Sequence, residues 1–126
     1  MNETLLIYHI TREERINCLK KICTPLHIRI RQVKKEEYLK TIFQLLGGEK
    51  TGAEKKYQGE ELPGEMLVMA VNPDKIDSLL DGMKKEGISV PYKAIVTPDN
   101  GWWNSLQLYQ ELEKEHRSLF SGFPLR

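Results

Sequence analysis

A short stretch near the end of the chain combines five side chains that could bind a ligand: Lys93, Thr97, Asn100, Trp102 and Trp103. Lys93 and Thr97 lie four residues apart on a predicted strand, so their side chains point to the same face. The two tryptophans follow at a turn, where two adjacent indoles are difficult to bury together. An aromatic surface beside an amide, a hydroxyl and an ammonium group could hold a small polar ligand or a loop of a partner protein. The structural alternative is that one indole fills the core while the Asn100 amide closes the turn.

Other combinations of residues predict less chemistry. A nucleophile–base set can be assembled only by an arbitrary choice among the three histidines, and Lys93 with Asp99 is the one conceivable acid–base pair. The two cysteines, Cys18 and Cys23, are five residues apart in a predicted helix, which is a poor geometry for a disulfide and not a metal-ligand spacing. We therefore predict no catalytic residues, no metal and no cofactor, and we keep a small enzyme of unknown reaction as the alternative function.

Composition limits the class of protein. The chain has 126 residues, a formal net charge of +1 and 40% hydrophobic residues, which fits a single domain over residues 1–126. A near-neutral charge argues against a nucleic-acid partner or an anionic membrane surface. No apolar run approaches the roughly 20 residues that a membrane span requires, and acidic Glu3 stands where a signal peptide has its positive region. We therefore expect a cytoplasmic protein.

Residues 3–46 predict the order strand, helix, strand, helix. The apolar run Thr4–Ile10 predicts a buried strand, and Thr11 with Glu14 has the spacing of a capping box at the start of the first helix. The alternating segment His27–Val33 predicts a half-exposed edge strand. The apolar stripe within Lys34–Leu46 predicts an amphipathic helix.

Residues 65–119 repeat this order after a polar loop, 47–64, that is rich in glycine and charge. The boundaries of the second half are marked by an apolar strand at Glu65–Val71, an Asn72-Pro73 helix start, a Gly87 helix stop, a strand at Pro91–Thr97 and a capping box at Asn104 and Gln107. Matching elements of the two halves are offset by roughly 60–66 residues. We therefore predict an internal duplication of a βαβα unit.

The burial patterns of the four strands predict a fold of the α/β (α+β) class. Both leading strands are apolar on both faces and belong in the middle of a sheet, whereas the second strand of each half is partly polar and belongs at an edge. A ferredoxin-like core with strand order 4-1-3-2 satisfies this pattern, and two additional helices would cover the second face. If they did not cover it, a second subunit would, as in a homodimer. The alternative is a mostly parallel, three-layer α/β sheet.

The segment Lys93–Asn100 (KAIVTPDN) and the residues after it resemble a small bacterial family known as domain of unknown function 3783. The resemblance extends over about residues 65–116 and is carried further by Trp103, Leu106, Leu108, Glu111, Leu112 and Glu115. This family has no established activity, so the resemblance implies a bacterial relative and no mechanism. It also implies that the first half is a diverged copy, because Arg29-Ile30-Arg31 stands where Lys93-Ala94-Ile95 stands in the second half.

Three functions follow from these observations. We favour a non-enzymatic module that binds a small molecule or a protein, or regulates one, through the Lys93–Trp103 surface. The small enzyme is the first alternative. A weaker alternative is RNA binding by a basic ridge around Arg29 and Arg31, for which Tyr8 is the one aromatic residue able to stack on a base.

Overall fold

The computed structural model describes residues 3–48 and 55–120. Its regular elements are β1 (Thr4–Tyr8), α1 (Glu13–Cys23), β2 (Arg29–Val33), α2 (Ile42–Leu45), β3 (Met66–Ala70), α3 (Pro73–Lys85), β4 (Tyr92–Ile95) and α4 (Ser105–Phe120). Short 3-10 turns lie at Thr24–Leu26, Lys35–Glu37 and Asn100–Trp102. The mixed α/β class that the sequence predicts is therefore confirmed.

The four strands form one open sheet in the order β2-β1-β3-β4. The β1/β2 and β3/β4 pairs are parallel, and the central β1/β3 pair is antiparallel, with Leu6 opposite Val68. The two leading strands lie side by side at the centre, as predicted, but the ferredoxin-like order 4-1-3-2 is not the order observed. Both orders bury the same two strands and expose the same two, so burial cannot distinguish them. They differ in whether each edge strand lies beside the leading strand of its own half, as it does here.

Each face of the sheet is covered by helices and loops of the same chain. Leu5, Ile7, Leu67 and Met69 pack against α1 and α3 in one core cluster. The alternate residues of β1 and β3 point to the other face, where they pack against α4 and the segment between β2 and β3 in a second core cluster. These residues are Leu6, Tyr8, Met66 and Val68. The second face therefore needs no second subunit to cover it.

The start of α3 is the one that the sequence predicts, and the start of α1 is not. Asn72 Oδ1 accepts a hydrogen bond from the Asp74 amide at 3.0 Å, and Pro73 is the first helical residue. The predicted capping box of Thr11 and Glu14 is absent from α1, because Arg12 is the N-cap residue and makes no side-chain cap. Arg12 keeps an extended backbone, with φ −73° and ψ 123°, so the helix begins at Glu13 and Thr11 lies one residue too early to cap it.

The predicted helix Lys34–Leu46 is interrupted into a 3-10 turn and the single turn of α2. Thr41 caps α2 by a reciprocal pair of hydrogen bonds with Gln44, of 2.8 and 3.1 Å. The backbone around this break bonds to the start of α4: the Ile42 amide donates to the Trp103 carbonyl, and the Ser105 amide donates to the Tyr38 carbonyl. Tertiary hydrogen bonds thus replace the helical ones that the apolar stripe had predicted.

The described part of the polar loop is partly buried. Residues 49–54 of the predicted loop 47–64 lie outside the described residues. The remainder contains no helix or strand, but Leu62 is buried in the second core cluster and Tyr57 packs against it. This part of the loop therefore acts as a cover for the sheet as well as a connection.

Two further observations concern the helices of the described chain. Cys18 and Cys23 are both free thiols, and burial raises the pKa of Cys23 to about 11. Among the described residues, no helix has the length and apolarity that a bilayer crossing requires.

Candidate functional site

Strand β4 forms one edge of the sheet, and a groove of about 590 Å³ lies there between α3 and α4. We call it the β4 groove. Its walls come from β3 and β4, from α3, from the turn after β4 and from α4, and they are formed by Met69, Ile76, Leu80, Lys93, Ala94, Ile95, Thr97, Asp99, Asn100, Trp103, Leu108, Glu111, Leu112 and Glu115. This volume is in the range of small-ligand sites.

Four of the five predicted site residues line the β4 groove: Lys93, Thr97, Asn100 and Trp103. The fifth, Trp102, is separate from it. Its indole is 71% exposed and meets the ring of Phe43 edge to face, with centroids 5.0 Å apart. The structure thus divides the two indoles, because Trp103 is half-buried against the second core cluster.

The close approach of Phe43 explains the glycine between Asn100 and Trp102. A Cβ atom at Gly101 would lie 2.2 Å from the Phe43 ring. Real Cβ atoms do not come this near to a neighbouring carbon, so the ring can occupy its position only beside a glycine. Gly101 and Phe43 therefore fix where Trp102 stands on the surface.

Thr97 and Asn100 form a hydrogen-bonded clamp at the end of β4. The Thr97 amide donates to Asn100 Oδ1 at 2.8 Å, and Asn100 Nδ2 donates to the Ile95 carbonyl at 3.0 Å. The Asn100 amide in turn donates to Thr97 Oγ1 at 3.0 Å. A residue of a neighbouring parallel strand would bond to the same two backbone groups, the carbonyl of Ile95 and the amide of Thr97. The Asn100 carboxamide therefore imitates one residue of an additional strand.

The clamp leaves a short open stretch on the outer side of β4. The Val96 amide donates to the Met69 carbonyl, so residues of even number direct their backbone groups inward and Lys93 and Ile95 direct theirs outward. Pro91, just before the strand, has no N–H to offer. Among the described residues, the outward N–H and C=O of Lys93 and the N–H of Ile95 have no strand beside them.

The two sides of the β4 groove differ in chemistry. Ile95 shares the α3 side with Met69, its neighbour in register, and with Ile76 and Leu80, and it is 46% exposed. Lys93 shares this face, because its register neighbour Leu67 packs in the same core cluster as Met69. The α4 side carries the carboxylates of Glu111 and Glu115 beside the apolar side chains of Trp103, Leu108 and Leu112.

The formal charge of the β4 groove is negative, although the chain as a whole carries +1. Among the described residues that line it, Asp99, Glu111 and Glu115 are acidic and Lys93 is basic, and the Lys93 ammonium group donates a hydrogen bond to the Val90 carbonyl. Glu111 also lies 4.0 Å from Lys114 on the exposed surface of α4, a contact that compensates little charge in water.

Two residues of the RNA-binding alternative, Tyr8 and Arg31, are engaged in contacts within the protein, whereas Arg29 is exposed. Tyr8 is fully buried, and its hydroxyl shares a 2.8 Å hydrogen bond with the Ser105 hydroxyl. Arg31 donates hydrogen bonds to the Glu37 carboxylate and the Leu45 carbonyl. Because Tyr8 cannot reach a base, the two central strands present no exposed aromatic ring for the stacking on which this alternative depended.

Burial also shifts the titration of two tyrosines in the second core cluster. Desolvation raises the pKa of Tyr8 well above its ordinary value, and the hydrogen bond with Ser105 only partly offsets this. Desolvation raises the pKa of Tyr38 as well, and its hydrogen bond to the Glu61 carboxylate favours the neutral phenol further. These phenols stay protonated and stabilise the fold.

The described residues contain no group of three or more His, Cys, Asp and Glu side chains that could hold a metal ion. The sequence predicted the β4 side of the groove and not its walls. In the sequence alone, Ile76 and Leu80 belong to the apolar stripe of a predicted helix, and Glu111 and Glu115 resemble a solvated helix face. Their sequence signal was weak, because residues at the border of an apolar stripe resemble core residues.

One family model matches the part of the chain that forms the groove. Residues 65–119 match the family described as domain of unknown function (DUF3783). The predicted resemblance over this segment is therefore confirmed. No curated protein and no solved structure matches the chain. The DUF3783 segment comprises β3, α3, β4 and α4, so it contains every residue that lines the β4 groove, whereas Phe43 lies outside it.

Proposed function

We propose that this protein is a non-enzymatic binding module and that the β4 groove is its binding surface. The observation that carries this proposal is the combination of an exposed apolar side chain, Ile95, with an open stretch of strand edge in one concave site. Exposed apolar groups in a groove mark binding surfaces more often than isolated ones do. A bound group covering Ile95 would be stabilised by the removal of this apolar surface from water.

The two tryptophans provide a matched pair of reporters for a test. The chain has only two, so Trp102→Phe leaves an indole in the groove and Trp103→Phe leaves one outside it. We expect compounds from a library of small-molecule fragments and eight-residue peptides to change the emission of the Trp102→Phe variant. The same compounds should leave the Trp103→Phe variant unchanged.

A second pair of variants locates the binding surface. Ile95 and Leu39 are both exposed large hydrophobic residues, at 46% and 39%, but only Ile95 lines the groove. We expect Ile95→Asp to abolish the response to the compounds and Leu39→Asp to retain it. Compounds that bind both variants equally, or a complete lack of responding compounds, would contradict the proposed function.

We also propose that the chain arose by duplication, as its two halves suggest. Each half contributes a strand, a helix and a second strand parallel to the first, and the halves meet at the antiparallel β1/β3 pair. On this proposal the groove belongs to the second half alone. The corresponding edge at β2 carries Arg29 and Arg31 where β4 carries Lys93 and Ile95.

A further inference from the structure

Resting on the proposed function, we propose that the β4 groove binds an extended segment of a partner protein in which apolar and basic side chains alternate. The segment adds to the sheet as a short strand beside Lys93 and Ile95. The two kinds of side chain follow from the two different sides of the groove, and the strand conformation follows from the open backbone between them.

The open backbone of β4 defines how long the added strand can be. In an antiparallel arrangement, one residue of the partner exchanges two hydrogen bonds with the N–H and C=O of Lys93. The Ile95 N–H donates to the carbonyl of the partner residue two positions before that one in sequence, since the strands are antiparallel. Beyond these three bonds, Pro91 has no N–H to donate, and the clamp already occupies the Ile95 carbonyl and the Thr97 amide, so pairing extends little further. The site therefore suits a short segment and resists the growth of a long intermolecular sheet.

The side chains of an added strand would alternate between the two sides of the groove. On the α3 side they meet Ile76, Leu80 and Ile95, which favour an apolar residue. On the α4 side they meet Glu111 and Glu115, which favour Arg or Lys. Main-chain bonds give such a complex its affinity, and the alternating side chains give its specificity.

A second copy of this chain is a less favourable occupant. Two β4 grooves facing each other would bring Asp99, Glu111 and Glu115 against the same carboxylates, with only Lys93 from each copy to compensate. The β2 edge of another copy has an alternating sequence, but its Arg31 is already bonded to Glu37 and Leu45. A β2–β4 contact would also be heterologous, so it would build a ring or an open filament and not a two-fold dimer. The charges therefore favour a different protein that presents a basic segment.

The test uses four capped eight-residue peptides and the full-length protein. Three peptides alternate Val with Arg, Gln or Glu, and the fourth is the Val–Arg peptide with every backbone nitrogen methylated. Binding is followed by the Trp103 emission of the Trp102→Phe variant and by amide exchange at Lys93 and Ile95. We expect the Val–Arg peptide to bind best, the Val–Gln peptide at least about tenfold more weakly, and the other two not measurably.

Variants of α4 separate the charge of the groove from that of the helix as a whole. Replacing Glu111 and Glu115 by Gln should lower the affinity for the Val–Arg peptide about tenfold, so that this peptide no longer binds more tightly than the Val–Gln peptide. Glu113→Gln, on the same helix but outside the groove lining, should have a much smaller effect. Raising the salt concentration should weaken the Val–Arg complex and leave the Val–Gln complex nearly unchanged.

Several results would overturn the inference. If the Val–Glu peptide bound as tightly as the Val–Arg peptide, the charge argument would be refuted. If the methylated Val–Arg peptide bound as tightly as the unmethylated one, strand addition would be refuted. Self-association in sedimentation that Ile95→Asp abolishes would identify a second copy as the occupant. If fragments still occupy the groove when every peptide fails, the inference falls and the proposed function stands. If no probe reaches the groove, both fall.

Discussion

Asn100 combines two roles at the scale of a single residue, because its carboxamide closes the turn after β4 and also covers part of an exposed strand edge. Both carboxamide atoms bond to the backbone of β4 or of the residues that follow it. The structural interpretation of this residue, which the sequence already offered, is thus the one that the hydrogen bonds support. Its consequence for binding is indirect, since it sets where the open edge ends.

We predict that Asn100→Ala lowers the free energy of unfolding by about 1–3 kcal/mol, because the Ile95 carbonyl and the Thr97 amide lose their partner. Asn100→Asp keeps the acceptor for the Thr97 amide and loses the donor to Ile95, so its loss should be smaller. Urea denaturation of the two variants measures the difference. Equal stability of Asn100→Ala and the parent chain would show that the clamp does not hold the turn.

Gly101 provides a second test at this scale. Gly101→Ala should lower the free energy of unfolding by about 1–3 kcal/mol, because the new methyl group forces the Phe43 ring out of its position. In a Phe43→Ala background the same substitution should have almost no effect, because the clash is removed. If Gly101→Ala lowered the free energy of unfolding equally in the Phe43→Ala background, its effect would not come from a clash with the Phe43 ring. Trp102 emission should report the displaced ring.

At the scale of elements, β1 and α4 are joined by the buried hydrogen bond between Tyr8 and Ser105. We predict that Ser105→Ala lowers the free energy of unfolding by about 1–3 kcal/mol, because the Tyr8 hydroxyl stays buried without a partner. Adding Tyr8→Phe removes that hydroxyl, so the double variant should lose less than the sum of the two single variants. Thermal denaturation of all four chains measures this coupling. Strict additivity would mean that the bond contributes nothing specific.

The elements that could be predicted from the sequence are those whose signals are local. The Asn72-Pro73 start of α3 and the capping box of Asn104 and Gln107 at α4 depend on residues within one helical turn, and both are present. The segment Lys34–Leu46 behaved differently. Its backbone bonds to residues about 60 positions away, at Trp103 and Ser105, and no periodicity within the segment could show this.

At the scale of the whole molecule, the buried tyrosines predict a sensitivity to alkaline pH. Burial raises the pKa of Tyr8 and Tyr38 in the folded protein above their ordinary value of 10.0. Above that pH the unfolded chain loses protons that the folded chain keeps, so the free energy of unfolding falls as pH rises. Each phenol contributes a slope of up to about 1.4 kcal/mol per pH unit.

We therefore expect urea denaturation to show a steep loss of stability between pH 10 and 12, and little change between pH 7 and 9. Tyr38→Phe should flatten the slope, since it removes one of the groups responsible. Tyr57→Phe is the matched control, because Tyr57 stacks on Tyr38 but is only half-buried. A slope that Tyr38→Phe leaves unchanged would assign the alkaline transition to other groups.

The arrangement of the sheet shows how far the sequence could lead at this scale. Burial patterns placed β1 and β3 at its centre, but strand order depends on which edge lies beside which central strand. Exchanging the two edge strands, β2 and β4, would not alter the burial of any strand. The groove has the same limitation: Lys93, Thr97, Asn100 and Trp103 are close in sequence and could be found together. The walls from α3 and α4 come from residues that only the fold brings to them.

The proposed binding site requires the open edge of β4 between Pro91 and the Thr97–Asn100 clamp, and residue-resolved amide hydrogen exchange tests this edge directly. In the free protein, the amides of Lys93 and Ile95 should exchange fast, because they face outward without a strand beside them. The amides of Val96 and Thr97 should exchange slowly, since they donate to Met69 and Asn100. Adding the Val–Arg peptide should slow hydrogen exchange at the amides of Lys93 and Ile95 and leave exchange at Val96 and Thr97 unchanged. Strong protection of these two amides in the free protein, or exchange at Thr97 as fast as at Lys93, would contradict the open edge and the site built on it.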